Sequence, residues 1–133
     1  MDLAEYEKLN PRCTVRCDER VDFKHDPMQP ACSQGCVSAS LDERVAAGTV
    51  ARPDFLKIDV DGFEPKVIRG AQNTLRSGAV RSLLIEINQN LPDHMALVDE
   101  LAGWGFRYDR AQVARAERKS GDFKGCADYV FVR

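Results

Sequence analysis

Strand-like and helix-like segments alternate between Asp54 and Asn88. "DFLKIDV", Asp54 to Val60, has the length and the β-branched content of a strand. "EPKVIRGAQNTLRSG", Glu64 to Gly78, has proline at a helix-start position and apolar residues on one face, and "SLLIEIN", Ser82 to Asn88, is nearly continuously apolar. Continuous apolar strands separated by helices are typical of a parallel sheet covered on both faces. The alternation predicts an α/β fold with a mostly parallel sheet and flanking helices.

The same patterns extend to both sides of this block. A short helix is predicted after Ser40 in "SLDERVAAG", and a longer one in "PDHMALVDELAGWG". The last predicted elements are a strand in "FRYD", a charged helix in "AQVARAERK" and a strand in "ADYVFVR". The two strands are predicted to form an antiparallel pair at an edge of the sheet. Residues 1–36 show no sustained period, and only "RVDFKHD" resembles a strand. We therefore expect an irregular segment over 1–36 and a folded unit over 37–133.

Composition limits the classes of partner. The 133 residues carry a formal net charge of -2, which gives no basic excess to attract a nucleic acid. No apolar run approaches the roughly 18 residues of a membrane span, and the N-terminus is acidic and polar. The expectation is one cytoplasmic domain that binds neither nucleic acid nor membrane.

The cysteine spacing allows two interpretations. Four of the five cysteines form two C-x3-C pairs, a spacing that zinc sites permit. The arginines around the first pair, the lack of a knuckle pattern and the reduced state of most cytosolic thiols favour free cysteines instead. We therefore predict no metal site at Cys13, Cys17, Cys32, Cys36 or Cys126.

Polar side chains stand at the ends of two neighbouring predicted strands. Asp59, Asp61 and Glu64 follow the first strand, and Glu86 and Asn88 end the second. In an open parallel sheet, ligands bind beyond the carboxyl ends of the strands, so these side chains are predicted to border one crevice. Asp61 and Glu64 have an alternative role as caps of the following helix, since carboxylates are favoured at helix N-termini.

A run of motifs in order resembles one enzyme family. The motifs are Ser-Leu-Asp at 40–42, Lys-Ile-Asp-Val-Asp-Gly-Phe-Glu at 57–64, Gly-Ala at 70–71 and Leu-Ile-Glu at 84–86. Together they resemble the FkbM family of S-adenosylmethionine-dependent methyltransferases. The resemblance implies a class I, Rossmann-like methyltransferase fold, in which "FLKIDV" is the fourth strand, "SLLIEIN" the fifth, and "FRYD" and "ADYVFVR" the sixth and seventh.

The resemblance also implies a function. Family members methylate hydroxyl oxygens on sugars, polyketides or related metabolites, with S-adenosylmethionine as cofactor. It implies catalytic roles for Asp59 and Asp61, which orient or deprotonate the acceptor hydroxyl, and an acceptor site shaped by Glu64, Glu86 and Asn88.

The Gly-rich turn that holds the cofactor in class I methyltransferases is not found in the sequence. We therefore align the chain with the C-terminal half of the domain and assign no cofactor-binding residue. The alternative function is a non-catalytic binding or scaffold module derived from this fold.

The missing half leaves one edge of strand 54–60 open. The strand has Lys57 as its only basic residue and no proline to discourage pairing. Three outcomes are open for this edge. "RVDFKHD" adds a substitute strand, or the edge pairs with a second chain or with a missing N-terminal half, or the protein aggregates.

Overall fold

The computed structural model describes residues 38–133, together with Asp22, Lys24, Asp26, Pro27 and Gln29. Within these residues the elements are α1 (Leu41–Ala46), β1 (Phe55–Ile58), α2 (Glu64–Arg69), α3 (Gln72–Arg76), β2 (Ser82–Asn88), α4 (Pro92–Gly103), β3 (Arg107–Tyr108), α5 (Arg110–Ala116) and β4 (Cys126–Val132). The alternation of helices and strands confirms the α/β class.

Of the strand expected in "RVDFKHD", three residues are described, and they form a turn. The backbone N–H groups of Lys24 and Asp26 donate to Asp22 Oδ1 at 2.8 and 2.9 Å. The Asp22 N–H donates to the Asp26 carbonyl oxygen at 2.9 Å. An aspartate that binds backbone groups shortly after itself is typical of a turn. The cysteines at positions 13, 17, 32 and 36 lie outside the described residues.

The four strands form an open mixed sheet in the order β1-β2-β4-β3. β1 and β2 pair in parallel, whereas β4 pairs antiparallel with both β2 and β3. The prediction of a mostly parallel sheet is therefore wrong, although the last two strands are antiparallel as predicted. The predicted edge pair is confirmed: β3 is the edge strand, and β4 pairs with β3 on one side and with β2 along seven residues on the other.

Burial alternates along β2, contrary to the expectation that both faces are covered. Leu83, Ile85 and Ile87 are fully buried, while Leu84 and Glu86 between them are only partly buried. The buried set packs with residues of α2, α3, α4 and β4 in one hydrophobic core. The other face of the sheet is therefore only partly covered at Leu84 and Glu86.

The helix predicted over 64–78 is interrupted at Gly70 and Ala71, which separate α2 from α3. A Cβ atom on Gly70 would lie 3.0 Å from the Ser40 Cβ, which is tighter than most Cβ contacts, so a larger residue at this position would require the start of α1 to shift by a few tenths of an ångström. The Gly70 carbonyl oxygen accepts the Asp42 N–H at 3.0 Å. The break thus results from the contact between α1 and the helix pair, which local periodicity does not reveal.

The residues of the Ser-Leu-Asp motif are caps. Ser40 caps α1 through a reciprocal capping box with Glu43, as the sequence predicted for this helix start. The Asp42 carboxylate accepts the backbone N–H groups of Asn73 and Thr74, each at 2.8 Å, and the Thr74 hydroxyl at 2.6 Å. Asp42 therefore supplies the N-terminal cap that α3 lacks from its own residues.

Helix α4 is the longest described helix at 12 residues. None of the helices in the described ranges has the length and apolar character needed to cross a membrane.

Candidate functional site

The chain reverses tightly after β1. The Phe63 N–H donates to the Val60 carbonyl oxygen at 3.3 Å, and both residues between them have positive φ, 50° at Asp61 and 101° at Gly62. Positive φ at both central positions is the type I′ pattern, for which Asp-Gly is a preferred pair. The positive φ angles that this turn requires therefore account for the Asp-Gly dipeptide. Asp61 lies exposed at the end of the strand.

The Glu64 side chain stabilises this turn through two hydrogen bonds. This side chain is 1% exposed; Oε1 accepts the Val60 N–H at 2.9 Å and Oε2 accepts the Gly62 N–H at 3.0 Å. Phe63 is the N-cap residue of α2, and no side chain caps this helix by a hydrogen bond. Glu64 lies in the first turn of α2, where a carboxylate is favoured, but both of its oxygens accept N–H groups of the turn before the helix.

His94, on α4, connects the turn to the end of β2. Its Nδ1 accepts the Asn88 N–H at 3.2 Å, which places the ring hydrogen on Nε2. Nε2 lies 3.3 Å from the Gly62 carbonyl oxygen and 3.5 Å from Glu64 Oε2. Glu64 and His94 are both buried and together fix the end of β1 relative to the end of β2.

Three of the predicted site residues lie close together at the ends of β1 and β2. Asp59, Asp61 and Glu86 each offer one carboxylate oxygen, and these oxygens lie within 4.8 Å of one another. The β1–β2 register explains the meeting, because Ile58 pairs with Ile85 and the next residues are Asp59 and Glu86. We call these three residues the carboxylate cluster.

The other two predicted site residues lie behind the cluster. Both carboxylate oxygens of Glu64 are bonded to backbone groups. Asn88 is nearly buried, and its Oδ1 accepts the backbone and side-chain N–H groups of Asn90 at 3.0 Å. Glu64 and Asn88 therefore hold the geometry of the site, and their direct contact with a substrate stays a prediction.

Charged neighbours surround the cluster. Lys57 Nζ lies 3.1 Å from Asp59 Oδ2, and Arg118 Nη1 lies 2.8 Å from Glu86 Oε1. Asp128 faces Glu86 across the β2–β4 pair. Carboxylate oxygens are the ligands that hard divalent cations prefer, but Asp59 and Asp61 are exposed, and exposed acidic groups commonly occur without an ion.

Glu86 has a perturbed acidity. Burial raises the pKa of its carboxyl above the ordinary 4.5; Arg118 opposes this shift, and the negative charges of Asp59, Asp128 and Glu64 add to it. The side chain is 13% exposed, so removal from water is a credible main cause. A carboxylate with a raised pKa at the mouth of a site is a stronger proton acceptor than an ordinary one.

We expect Glu86→Gln to unfold at the same temperature as the wild type or higher at pH 7. A raised folded-state pKa means that the fold favours the protonated acid. This contribution is complete below pH 4.5, the ordinary value, and is lost as the pH rises through the folded-state pKa. The difference between variant and wild type should therefore disappear in thermal melts below that pH. A variant that melts well below wild type at pH 7 would mean that the Arg118 pair outweighs burial.

Sequence reasoning missed His94, Arg118 and Asp128. His94 carried no visible signal, because its partners Gly62 and Glu64 are about thirty residues away in the chain. Asp128 was visible as the one charged residue inside "ADYVFV", but its position opposite Glu86 requires the register of β4. Cys126, which faces Asn88 in that register, is a buried free thiol, as predicted, and burial raises its pKa.

The turn after β1 does not fit the cofactor. A turn that cradles a ligand offers free backbone N–H groups, as Gly-rich turns do. Here the N–H groups of Val60 and Gly62 are already bound to Glu64. Within the described residues, β1 is the first strand, so no earlier strand is followed by a Gly-rich turn.

The carboxyl ends of adjacent parallel strands, where these acidic side chains lie, are the usual ligand-binding position of an α/β sheet. The family model described as the methyltransferase FkbM domain matches residues 37–108, more than half of the chain. The chain therefore belongs to the FkbM methyltransferase domain family, which confirms the resemblance seen in the sequence. No curated protein and no solved structure matches it.

Proposed function

We propose that this chain forms the acceptor side of an S-adenosylmethionine-dependent O-methyltransferase, whose substrate is a hydroxyl group of a sugar, a polyketide or a related metabolite. The observation that supports this most is the carboxylate cluster. It lies within the range that matches the family, at the carboxyl ends of the two parallel strands.

In this proposal Asp59 and Asp61 bind the acceptor hydroxyl. Both are exposed, so a small molecule can reach them. A carboxylate that accepts a hydrogen bond from a hydroxyl fixes the direction of its oxygen and removes the proton as that oxygen reacts. Glu86 lies within the same cluster and presents a second acceptor for hydroxyls of a polyhydroxylated substrate.

The buried residues beneath the cluster keep it in place. Glu64 holds the turn that presents Asp61, and His94 joins this turn to the backbone at Asn88. Active sites need their side chains held within a fraction of an ångström, and such support comes from packed residues with satisfied hydrogen bonds. The arrangement suits a preformed site on the ends of the strands.

The cofactor-binding half belongs to a different part of the domain in this proposal. Among the described residues no strand before β1 is present to carry a Gly-rich turn, and in the turn after β1 the N–H groups of Val60 and Gly62 are bound to Glu64. A class I arrangement of the complete domain, with β1 and β2 as its fourth and fifth strands, is part of the proposal. The chain then supplies acceptor binding and proton removal.

We expect calorimetric titration of the chain with S-adenosylmethionine to show no binding tighter than about millimolar, because the part of the chain that the structure describes has no strand followed by a Gly-rich turn to hold the ligand. S-adenosylhomocysteine serves as a second probe of the same site. Micromolar affinity for either would contradict this prediction and make the chain a stand-alone enzyme. Weak binding here, combined with no methyl transfer in a longer protein that does bind the cofactor, would favour the scaffold alternative.

A further inference from the structure

We propose that Arg118 is a positioning residue for the methyl transfer, because it fixes the direction of the Glu86 carboxylate at the ends of the parallel strands. This role rests on the proposed function, in which Glu86 accepts a hydrogen bond from a hydroxyl of the substrate. Arg118 lies in the loop 117–125, which joins α5 to β4 beyond the range that matches the family. The loop therefore brings to the site a residue from outside the matched range.

The contact between the Arg118 and Glu86 side chains is short. Arg118 Nη1 lies 2.8 Å from Glu86 Oε1, which is the distance of a charge-assisted hydrogen bond. A donor at one oxygen limits the rotation of the carboxylate. Because a carboxylate has several acceptor positions on its two oxygens, the pair leaves room for a hydrogen bond from the substrate hydroxyl.

Both the backbone and the side chain of Arg118 are held in place. Its N–H donates to the Cys126 carbonyl oxygen, and its carbonyl oxygen accepts the Gly125 N–H, each at 2.9 Å. The guanidinium carbon lies 5.2 Å from the centre of the Phe123 ring, within the range of a cation–π contact. Because these contacts already restrict the long side chain, less conformational entropy is lost when it pairs with Glu86.

Hydrogen bonds also join the loop 117–125 to the chain just after β2, the strand that carries Glu86. The Gln89 N–H donates to the Gly125 carbonyl oxygen at 2.9 Å, and Asn90 Nδ2 donates to the Lys124 carbonyl oxygen at 2.8 Å. The fold therefore places the loop, and Arg118 with it, at the same end of the sheet as the carboxylate cluster.

The charge of Arg118 opposes the other influences on Glu86. Groups from the residues after β1, from α2, from β4 and from the loop surround the Glu86 carboxyl, and they are Asp59, Asp61, Glu64, Cys126, Asp128 and Arg118. Burial raises the pKa of Glu86 most, three of the carboxylates raise it further, and Arg118 lowers it. Without Arg118, Glu86 would stay protonated to a higher pH, and a protonated carboxyl donates a hydrogen bond where the carboxylate accepts one.

The first test follows the Glu86 carboxyl in the 133-residue chain by carbon NMR titration, with Glu86→Gln used to assign its signal. Arg118→Gln should raise the pKa of Glu86, because the negative neighbours then act without the opposing cation. Arg118→Lys should restore part of the lowering. Arg115→Gln makes the same change at an exposed position of α5 and should leave the titration unchanged.

The Arg118 side chain is 48% exposed, so these variants should fold, which thermal melts will check. A pKa of Glu86 that stays the same or falls in Arg118→Gln would overturn the proposal.

The second test is the pH dependence of the methyl-transfer rate in a longer protein that binds the cofactor. Arg118→Gln should lower the rate at pH 7 roughly tenfold and move the acid limb of the profile to higher pH. Arg118→Lys should restore the acid limb but not the full rate, because lysine supplies the charge without the planar fork of arginine. A loss of rate with an unchanged acid limb would reduce Arg118 to a structural role and overturn the proposal.

The rate measurements also separate this role from the proposed function. An active wild type in which Arg118→Gln keeps the wild-type rate and pH profile would overturn the role of Arg118 and leave the proposed function standing. A wild-type protein that binds the cofactor but methylates no hydroxyl acceptor would contradict the proposed function, and the role of Arg118 with it.

Discussion

Asp59→Asn should lower the rate of methyl transfer about a hundredfold or more in a longer or reconstituted protein that binds the cofactor. Asparagine keeps the size and shape of the side chain and one acceptor oxygen, but it cannot take the hydroxyl proton. The measurement is the initial rate of label transfer from S-adenosylmethionine, tritiated on the methyl group, to a panel of hydroxylated sugars and polyketides.

The matched control for this experiment is Glu100→Gln, which makes the same change from acid to amide at an exposed position of α4. It should retain the wild-type rate. Asp59 is half-exposed and pairs with Lys57, so the fold should tolerate its replacement, because exposed ion pairs contribute little stability. An Asp59→Asn variant that transfers methyl groups at the wild-type rate would limit Asp59 to a structural role.

Glu64→Ala should destabilise the fold by about 2–5 kcal/mol. The change leaves the N–H groups of Val60 and Gly62 without their acceptor, and an unsatisfied buried donor costs roughly 1–3 kcal/mol. Removing the side chain also creates a cavity beneath the turn. Denaturant unfolding of wild type and variant gives the free energy difference directly.

A graded series separates the lost hydrogen bonds from a general effect of mutation. Glu64→Gln keeps one oxygen acceptor but points an amide N–H at the other donor, so it should be less destabilised than Glu64→Ala and more than wild type. Glu100→Ala removes an exposed glutamate and should change stability by less than about 0.5 kcal/mol. Equal stability of Glu64→Ala and Glu100→Ala would show that the turn does not depend on Glu64.

Local patterns in the sequence were enough to predict most of the elements between Ser40 and Arg133. The bounds of β2 match the prediction exactly because a continuous apolar run has clear ends, and the parallel pairing of β1 with β2 follows from the helices between them. The break between α2 and α3 was not predictable, because it depends on Asp42 and Ser40, which come from another part of the chain.

The position of β4 depends on tertiary structure. It follows β3 and α5 in the chain, and its pair with β3 lies at the edge of the sheet as predicted, but the sequence did not show that β4 is the inner strand of this pair, next to β2. Its alternation places Ala127, Tyr129 and Phe131 in the core opposite Ile87, Ile85 and Leu83. This match in length and buried face determines the pairing, and it is not visible until both strands are aligned.

The candidate site was partly predictable for a similar reason. Asp59, Asp61 and Glu86 meet because adjacent parallel strands end at the same edge of the sheet. The sequence did not reveal that Glu64 turns inward, since a carboxylate at a helix start usually caps the helix or faces solvent. The support from His94 is also a long-range contact, which has no periodic signal.

The central claim is that the cluster acts on the acceptor through its carboxylates and is not merely a product of the turn. The most direct measurement is the methyl-transfer rate of Asp61→Asn in the longer protein, compared with its melting temperature. Asparagine tolerates positive φ, so the turn at Asp61, with φ of 50°, should remain intact. We expect a wild-type melting temperature together with a strongly reduced rate. A wild-type rate in Asp61→Asn, with Asp59→Asn equally active, would contradict it.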